Sequence, residues 1–194
     1  MRTATKQRIA AILTAFCVGS VLVSGQIAGP ASADSYPGGV LVKGRIEQAY
    51  LQSGGQAKWG RPLTTELVAG KGGRFQLFSR NTSFYWNPRV DFGRAHQISG
   101  PIRAKWGEFN WENGKLGYPV TNEFTEGNAK VNFFQGGTIY YSKATGAHPV
   151  WGGILFKWRA RGGVNSTLGL PIGDEQGFGF YYSQKFQNGT LYWP

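Results

Sequence analysis

The sequence predicts an α+β fold made of three tandem copies of one unit, each with a short helix, a Gly-x-Pro turn and a β-hairpin. Three observations support it: a signature that occurs three times (WGRPLTTE, LGYPVTNE and LGLPIGDE), an aromatic hairpin pattern after each signature, and an amphipathic stretch before it. An isolated hairpin is marginal in water, so neighbouring copies are expected to share a core. The copies cover about residues 42–97, 98–149 and 150–194 of a repeat domain spanning residues 34–194.

Each copy is predicted to begin with a helix of two or three turns. A Gly precedes an Ile by two positions, and a large aromatic residue follows that Ile four positions later. Residues spaced i, i+4 lie on one helical face. Gly- and Asn-rich stretches after the aromatic residue predict the helix ends. The three aromatic residues are Tyr50, Trp106 and Trp158.

The signature after each helix predicts a sharp turn with a fixed entry angle, because Pro fixes its own backbone. A Glu follows the Pro at constant spacing. Its recurrence in every copy favours a structural role, such as accepting a turn N–H or pairing with a nearby Lys or Arg, over a catalytic one. The predicted structural residues are Gly60, Pro62, Glu66, Gly117, Pro119, Glu123, Gly169, Pro171 and Glu175.

A two-stranded hairpin is predicted after each signature. Gly136-Gly137 and Asn188-Gly189 suit two-residue turns, and Arg80-Asn81 takes the turn in the first copy. Strand alternation then separates two sets of aromatic residues onto opposite faces. We expect the first set to be core, namely Phe84, Tyr140 and Tyr192. The second set would form an exposed ladder that stacks on sugar rings, which makes ligand-binding candidates of Tyr85, Tyr141 and Trp193.

Two histidines recur at the junctions between copies. His96 and His148 each follow an Ala and stand six residues before the Ile of the next copy, so they are further ligand-binding candidates. They lack the local spacing of a metal site. Neutral histidines that bond the backbone are the favoured interpretation, and a shared zinc site is the alternative. We expect no cofactor and no metal.

The copies leave a partial unit at each end. Pairing of Gly38–Val42 near Trp193 would complete the last copy and close the array into a ring, as in propellers. An open array is the simpler arrangement.

The first 33 residues have the order of a secretory signal peptide. A basic start precedes the apolar run Ile9–Val23, and Ala31-Ser32-Ala33 offers a cleavage site before Asp34. The run is short, and no later segment is long and apolar enough to span a membrane, so we expect no stable membrane anchor. The expected location is the cell wall or the extracellular space.

The amino-acid composition limits which classes of binding partner and activity the chain can have. Seven Trp, nine Tyr and thirteen Phe supply a core, and the one Cys, Cys17, lies within the predicted signal peptide. The formal net charge of +11 favours anionic partners. The basic residues are scattered, so we expect no nucleic acid. No Gly-x-Ser-x-Gly turn is present, and we expect no catalytic residue.

The shared positions resemble the LGFP repeat family, units of secreted actinobacterial proteins with mycolic-acid envelopes. The resemblance covers about residues 42–194. The copies depart from the family pattern between Gly and Pro, where they carry Arg61, Tyr118 and Leu170 in place of Phe. In this family the repeats occur alone or appended to wall-modifying enzymes such as mycolyltransferases and amidases. The resemblance therefore implies a non-catalytic association with the cell wall.

We accordingly expect a cell-envelope protein that binds a cell-wall polysaccharide or peptidoglycan and supports wall integrity. Repeated weak sites on one polymer would gain by avidity. The main alternative is an interaction module that positions or regulates a secreted wall enzyme, and a cell-wall hydrolase is the weakest.

Overall fold

Four helices and a series of small antiparallel sheets form the fold in the computed structural model, which describes residues 34–36 and 39–194. The predicted signal peptide, residues 1–33, lies outside the described residues. The first elements are β1 (Asp34–Tyr36), β2 (Val40–Val42), α1 (Gly44–Gln52), α2 (Gly55–Trp59), β3 (Leu67–Val68), β4 (Arg74–Phe78), β5 (Thr82–Trp86) and β6 (His96–Ser99). The second group is α3 (Gly100–Glu108), β7 (Phe124–Glu126), β8 (Ala129–Phe134), β9 (Gly137–Ser142) and β10 (Gly146–Trp151). The third is α4 (Gly152–Ala160), β11 (Gln176–Phe178), β12 (Tyr181–Phe186) and β13 (Gly189–Trp193).

The predicted α+β class and tandem units are confirmed, and each unit carries more strands than the predicted hairpin. The first two units hold four-stranded sheets in the order β3-β4-β5-β6 and β7-β8-β9-β10, and the third holds β11-β12-β13. Strand β2 pairs with β1, and β13 pairs with β12. Among the described strands, none of these pairings closes the array into a ring.

The Gly-x-Pro turn is tied to its helix by one hydrogen bond that occurs in all three units. The helix aromatic donates to the carbonyl of the Gly: Tyr50 Oη to Gly60 O at 2.9 Å, Trp106 Nε1 to Gly117 O at 3.1 Å and Trp158 Nε1 to Gly169 O at 3.1 Å. These glycines have φ of 79°, 68° and 69°, a region that side chains with a Cβ rarely adopt. The Pro two residues later bridges to a buried Phe of the hairpin (Phe78, Phe134 and Phe186).

The helix of the second unit, α3, ends earlier than the Asn113-Gly114 stretch predicts. Helix α3 ends at Glu108, and Asn110 and Trp111 take left-handed backbone conformations before a short 3-10 turn, Trp111–Asn113. An Asn is one of the residues that tolerate this conformation, so the chain turns there without Gly.

The hairpin of the first unit has one residue more in its turn than the other two. Three residues separate β4 from β5 (residues 79–81), whereas two separate β8 from β9 (135–136) and β12 from β13 (187–188). The predicted turns Gly136-Gly137 and Asn188-Gly189 are therefore one residue too late, because Gly137 and Gly189 already belong to strands. Since strand faces alternate with a period of two, this one residue shifts the alignment of the following strands.

A buried amide in each sheet joins neighbouring units. Gln76, Asn132 and Gln184 occupy the same position on β4, β8 and β12, two residues before the buried Phe. Each amide nitrogen donates to two carbonyls, one in the loop after the Pro and one in the strand that precedes the unit's helix. The acceptor in the preceding strand is Leu41, Gln97 or Pro149. These bonds fix the register between successive units because a buried donor must be paired.

Gly117, the glycine of the Gly-x-Pro turn in the second unit, offers a test of how the turn is held against its helix. In Gly117→Ala, the new Cβ would lie at positive φ and within 2.7 Å of Gln135 Oε1, which accepts the Tyr118 N–H. We expect the variant of residues 34–194 to lose about 1–2 kcal/mol of unfolding free energy in urea denaturation followed by tryptophan fluorescence. Gly173→Ala is the control, because nothing lies within 4 Å of its Cβ position, and it should change by less than about 0.5 kcal/mol. Equal losses in both variants would contradict the role of the turn.

Candidate functional site

The outer surface of the third sheet, here called the terminal face, carries three exposed aromatic rings around polar side chains. Strand alternation and pairing put Phe178 opposite Tyr181 and Ser183 opposite Tyr192. The exposed fractions are 67% for Phe178, 62% for Tyr181 and 64% for Tyr192. Large rings are seldom left this exposed in a cluster, so the terminal face is a candidate interaction surface. Its members are Phe178, Tyr181, Ser183, Lys185, Thr190 and Tyr192.

The same face is covered by a helix in the two preceding sheets. Tyr85 packs edge-on against Trp106 of α3 with ring centroids 4.7 Å apart, and Tyr140 packs in the same way against Trp158 of α4 at 4.8 Å. By strand register, Tyr192 is the third member of this set, since Tyr85 pairs with Phe75, Tyr140 with Val131 and Tyr192 with Ser183. No helix covers Tyr192 among the described residues.

The terminal face is also more polar than the same face of the second sheet. Val131 and Phe133 of the second sheet correspond to Ser183 and Lys185 of the third. In the second sheet, Val131 is fully buried in the core that includes Trp158. Covering Lys185 with an apolar helix would require burial of its charge, which is costly without a partner. The terminal face therefore suits a polar ligand better than another helix.

A cavity of about 400 Å³ lies on the terminal face, lined by polar residues and two of the exposed rings. Gln176 of β11 and Asp174, which lies just before that strand, extend its polar wall. Aromatic faces with polar groups between them match the surface of a sugar, which has apolar C–H faces and a rim of hydroxyls. The lining includes Asp174, Gln176, Phe178, Lys185 and Tyr192.

The expected exposed ladder of Tyr85, Tyr141 and Trp193 is not what the structure shows. Tyr85 is 5% exposed and lies in the core, while Tyr141 and Trp193 are half-buried and pack against core clusters. The expected core set is also wrong at Tyr192. Tyr85 is buried because the longer turn of the first hairpin aligns it with Tyr140 and puts Trp86 in the series of Tyr141 and Trp193. Tyr192 is exposed because no described helix lies over the third sheet.

The two histidines lie at different junctions and have different partners. His96 Nε2 lies 2.8 Å from Asp91 Oδ2 within the first unit. His148 Nδ1 lies 2.7 Å from Asp174 Oδ1, a residue of the third unit. The structure does not bring the two rings together. Within residues 34–36 and 39–194, no group of three His, Cys, Asp or Glu side chains is placed to hold a metal ion.

An ionic network closes the junction between the second and third units. His148 Nε2 lies 3.0 Å from the Thr145 carbonyl oxygen, and its Nδ1 lies 2.7 Å from Asp174 Oδ1. Lys105 Nζ is 3.3 Å from Asp174 Oδ2 and 2.6 Å from Glu108 Oε2. Burial acts to raise the pKa of Asp174, but the hydrogen bond from His148 and the charge of Lys105 outweigh it and hold that pKa below its ordinary value.

The recurring glutamates make contacts inside the fold. Glu123 accepts from Ser99 Oγ at 3.2 Å and pairs with Lys130 at 2.8 Å. Glu175 accepts from Trp151 Nε1 and lies 3.4 Å from Lys115 Nζ. Ser99 and Trp151 both stand immediately before a helix. The Glu66 side chain has a longer contact, 3.9 Å to Arg74 Nε. Each carboxylate thus joins the turn to a neighbouring element.

Sequence reasoning missed Phe178, Tyr181 and the three buried amides. The amides recur two residues before the aligned Phe in every copy, so a closer alignment would have found them. Phe178 and Tyr181 have no aromatic equivalent in the first two copies. Glu126 and Ala129 pair at their positions in the second sheet, and Ala69 and Gly73 align with them in the first copy. A departure from the repeat, rather than its recurrence, was the available signal.

A family model described as LGFP repeat matches the chain twice, over residues 60–114 and 116–166, which together are more than half of its length. The first match begins at the Gly of a Gly-x-Pro turn and the second one residue before such a Gly, and each runs through a sheet and the helix after it. The matched unit therefore combines a sheet with the helix that covers it. A comparison with curated proteins gives no significant match.

The junction histidine of the first unit predicts a dependence of stability on pH. Burial lowers the pKa of His96 below 6.5, although Asp91 acts to raise it. The unfolded chain therefore takes up the proton first, and the stability from neutral His96 is present above pH 6.5 and is lost as pH falls through the folded pKa. We expect the unfolding free energy to fall over this range, and to fall less in His96→Gln. An NMR titration that puts the ring pKa of His96 at or above 6.5 would contradict this prediction.

Proposed function

The chain belongs to the LGFP repeat family, and from that premise we propose that it is a secreted, non-catalytic protein of the cell envelope. Its ligand is a cell-wall polysaccharide or peptidoglycan strand, which it binds through the terminal face, and its role is to support wall integrity. The observation that carries the proposal is the cluster of Phe178, Tyr181 and Tyr192, exposed around Ser183 and Lys185 on a face that a helix covers in the other two sheets.

The chemistry of the terminal face favours a glycan. Three rings offer flat apolar surfaces, and the polar groups between them can bond hydroxyls or an acidic substituent. Lys185 adds positive charge. Without the predicted signal peptide the chain keeps 18 basic and 10 acidic residues, a formal net charge of +8, which favours wall polymers that carry negative charge. Sugar stacking by a few rings is weak for one chain, so attachment to a polymer would depend on several bound copies.

Non-catalytic binding agrees with where the carboxylates lie. Glu123 and Glu175 are engaged by Ser99, Lys130, Trp151 and Lys115 rather than facing each other across a cleft. Glycoside hydrolysis by the usual route needs two carboxyl groups on opposite sides of a bond. No described helix is long and apolar enough to cross a membrane.

Sedimentation with purified cell-wall fractions tests the proposal. We expect the protein of residues 34–194 to sediment with the walls, and the double variant Phe178→Ala/Tyr192→Ala to bind roughly tenfold more weakly, since each lost ring contact is worth about 0.5–1.5 kcal/mol. Phe156→Ala is the matched control: Phe156 is 70% exposed on α4 and lies outside the terminal face. This control should bind like the parent.

Three other outcomes would redirect the assignment. Failure of the protein to sediment with walls under any salt condition would exclude polymer binding. Retention of a secreted wall enzyme on immobilised protein, with no wall binding, would identify an interaction module. Release of soluble fragments from the walls would identify a hydrolase.

A further inference from the structure

A groove of about 490 Å³ lies between the first and second units, away from the terminal face. One wall is the exposed side of α1, where Arg45, Gln48 and Gln52 stand at the spacing i, i+3, i+7. The opposite wall comes from the segment entering β6, with Arg94 and His96, and from the loop after Pro119, with Asn122. The volume is that of sites for small ligands of sugar size.

The groove lining is cationic and has no acidic residue. Arg94 lies 3.5 Å from Asp91, which also bonds His96, so part of its charge is compensated. Arg45 forms no ion pair within the part of the chain that the structure describes. Its guanidinium is exposed and can bind a carboxylate or phosphate through two hydrogen bonds.

The corresponding junction between the second and third units shows how such a groove is closed. When the sequences of α1 and α3 are aligned at their first residues, Gly44 and Gly100, Ala49 corresponds to Lys105 and Gln52 to Glu108. When the loops after the Gly-x-Pro turns are aligned at Pro119 and Pro171, Asn122 corresponds to Asp174. At the second junction Lys105 reaches Asp174 and Glu108. At the first junction a short Ala and two neutral amides stand in their places, and these three side chains cannot form an ion pair with one another.

The loop beside the groove is held in an unfavourable backbone conformation. Asp91 and Phe92 have φ of 41° and 56°. Phe92 is 87% exposed, and the Arg94 guanidinium lies 5.5 Å from its ring. The link from β5 to β6 is nine residues long, against three from β9 to β10. Left-handed non-Gly residues concentrate at functional sites because their strain needs compensation elsewhere.

We propose that this groove binds an acidic sugar unit through its carboxylate or phosphate group. Arg45 and Arg94 bind the oxyanion, and Gln48, Gln52 and Asn122 bond the sugar hydroxyls. The site uses none of the residues of the terminal face, so it does not depend on the function proposed above.

An NMR titration of the isotope-labelled protein, residues 34–194, tests the site with three probes: glucose 6-phosphate, glucuronate and uncharged glucose. We expect shifts at the backbone signals of Gln48, Gln52 and Asn122 with one or both anions, and at least tenfold weaker binding of glucose. The anion that binds more tightly identifies a phosphate or a carboxylate as the natural group. Absence of shifts with both anions, or equal binding of glucose, would overturn the proposal.

Two variants and one control variant sharpen the test. Arg45→Gln should weaken anion binding about tenfold, as expected for a lost charge-assisted contact, while Arg161→Gln removes an exposed charge of the third unit and should leave binding unchanged. The double variant Ala49→Lys/Asn122→Asp installs the ion pair of the second junction without altering the net charge, and should abolish binding. Equal effects of Arg45→Gln and Arg161→Gln, or full binding by the double variant, would falsify the site. Unchanged signals elsewhere in the spectrum verify the fold of each variant.

Discussion

The hydrogen bond from the helix aromatic to the carbonyl of the Gly-x-Pro glycine fixes the geometry on which each unit depends. It occurs at Tyr50, Trp106 and Trp158, and it ties the left-handed glycine of the turn to the helix of the same unit. The Pro that follows then bridges to the buried Phe of the hairpin, so the position of the turn determines the position of the sheet. A donor and a carbonyl buried together must find each other, which is why the arrangement tolerates exchange of Tyr for Trp but retains the bond.

The units are joined by sharing faces. The first two sheets are each covered by the helix of the next unit, through Tyr85 on Trp106 and Tyr140 on Trp158. Each buried amide bonds the strand that precedes its own helix. The core therefore runs between units rather than inside them, as in other repeat arrays. In the third sheet, Ser183 and Lys185 replace the apolar residues of this face, and Tyr192 is exposed.

The junctions show how a repeat can keep its fold and change its chemistry. Three positions at the rim of the junction decide the difference. Lys105, Glu108 and Asp174 form a network at the second junction, while Ala49, Gln52 and Asn122 leave a cationic groove at the first. Such exchanges on the rim cost little stability because the buried contacts remain the same. Copies with one fold thus carry surfaces of different charge and polarity.

Much of the fold could be predicted from the sequence, because it depends on local patterns. The three helices, the turns at Gly60, Gly117 and Gly169, and the hairpins follow from spacing, from Pro geometry and from the positive φ that Gly permits. The candidate site could not be predicted in the same way. One extra residue in the first hairpin moved Tyr85 to the covered face, and burial of Tyr140 and exposure of Tyr192 depend on whether a helix lies above them. Periodicity assigns a side chain to a face of its strand, but only packing between units decides which face meets a neighbour and which meets solvent.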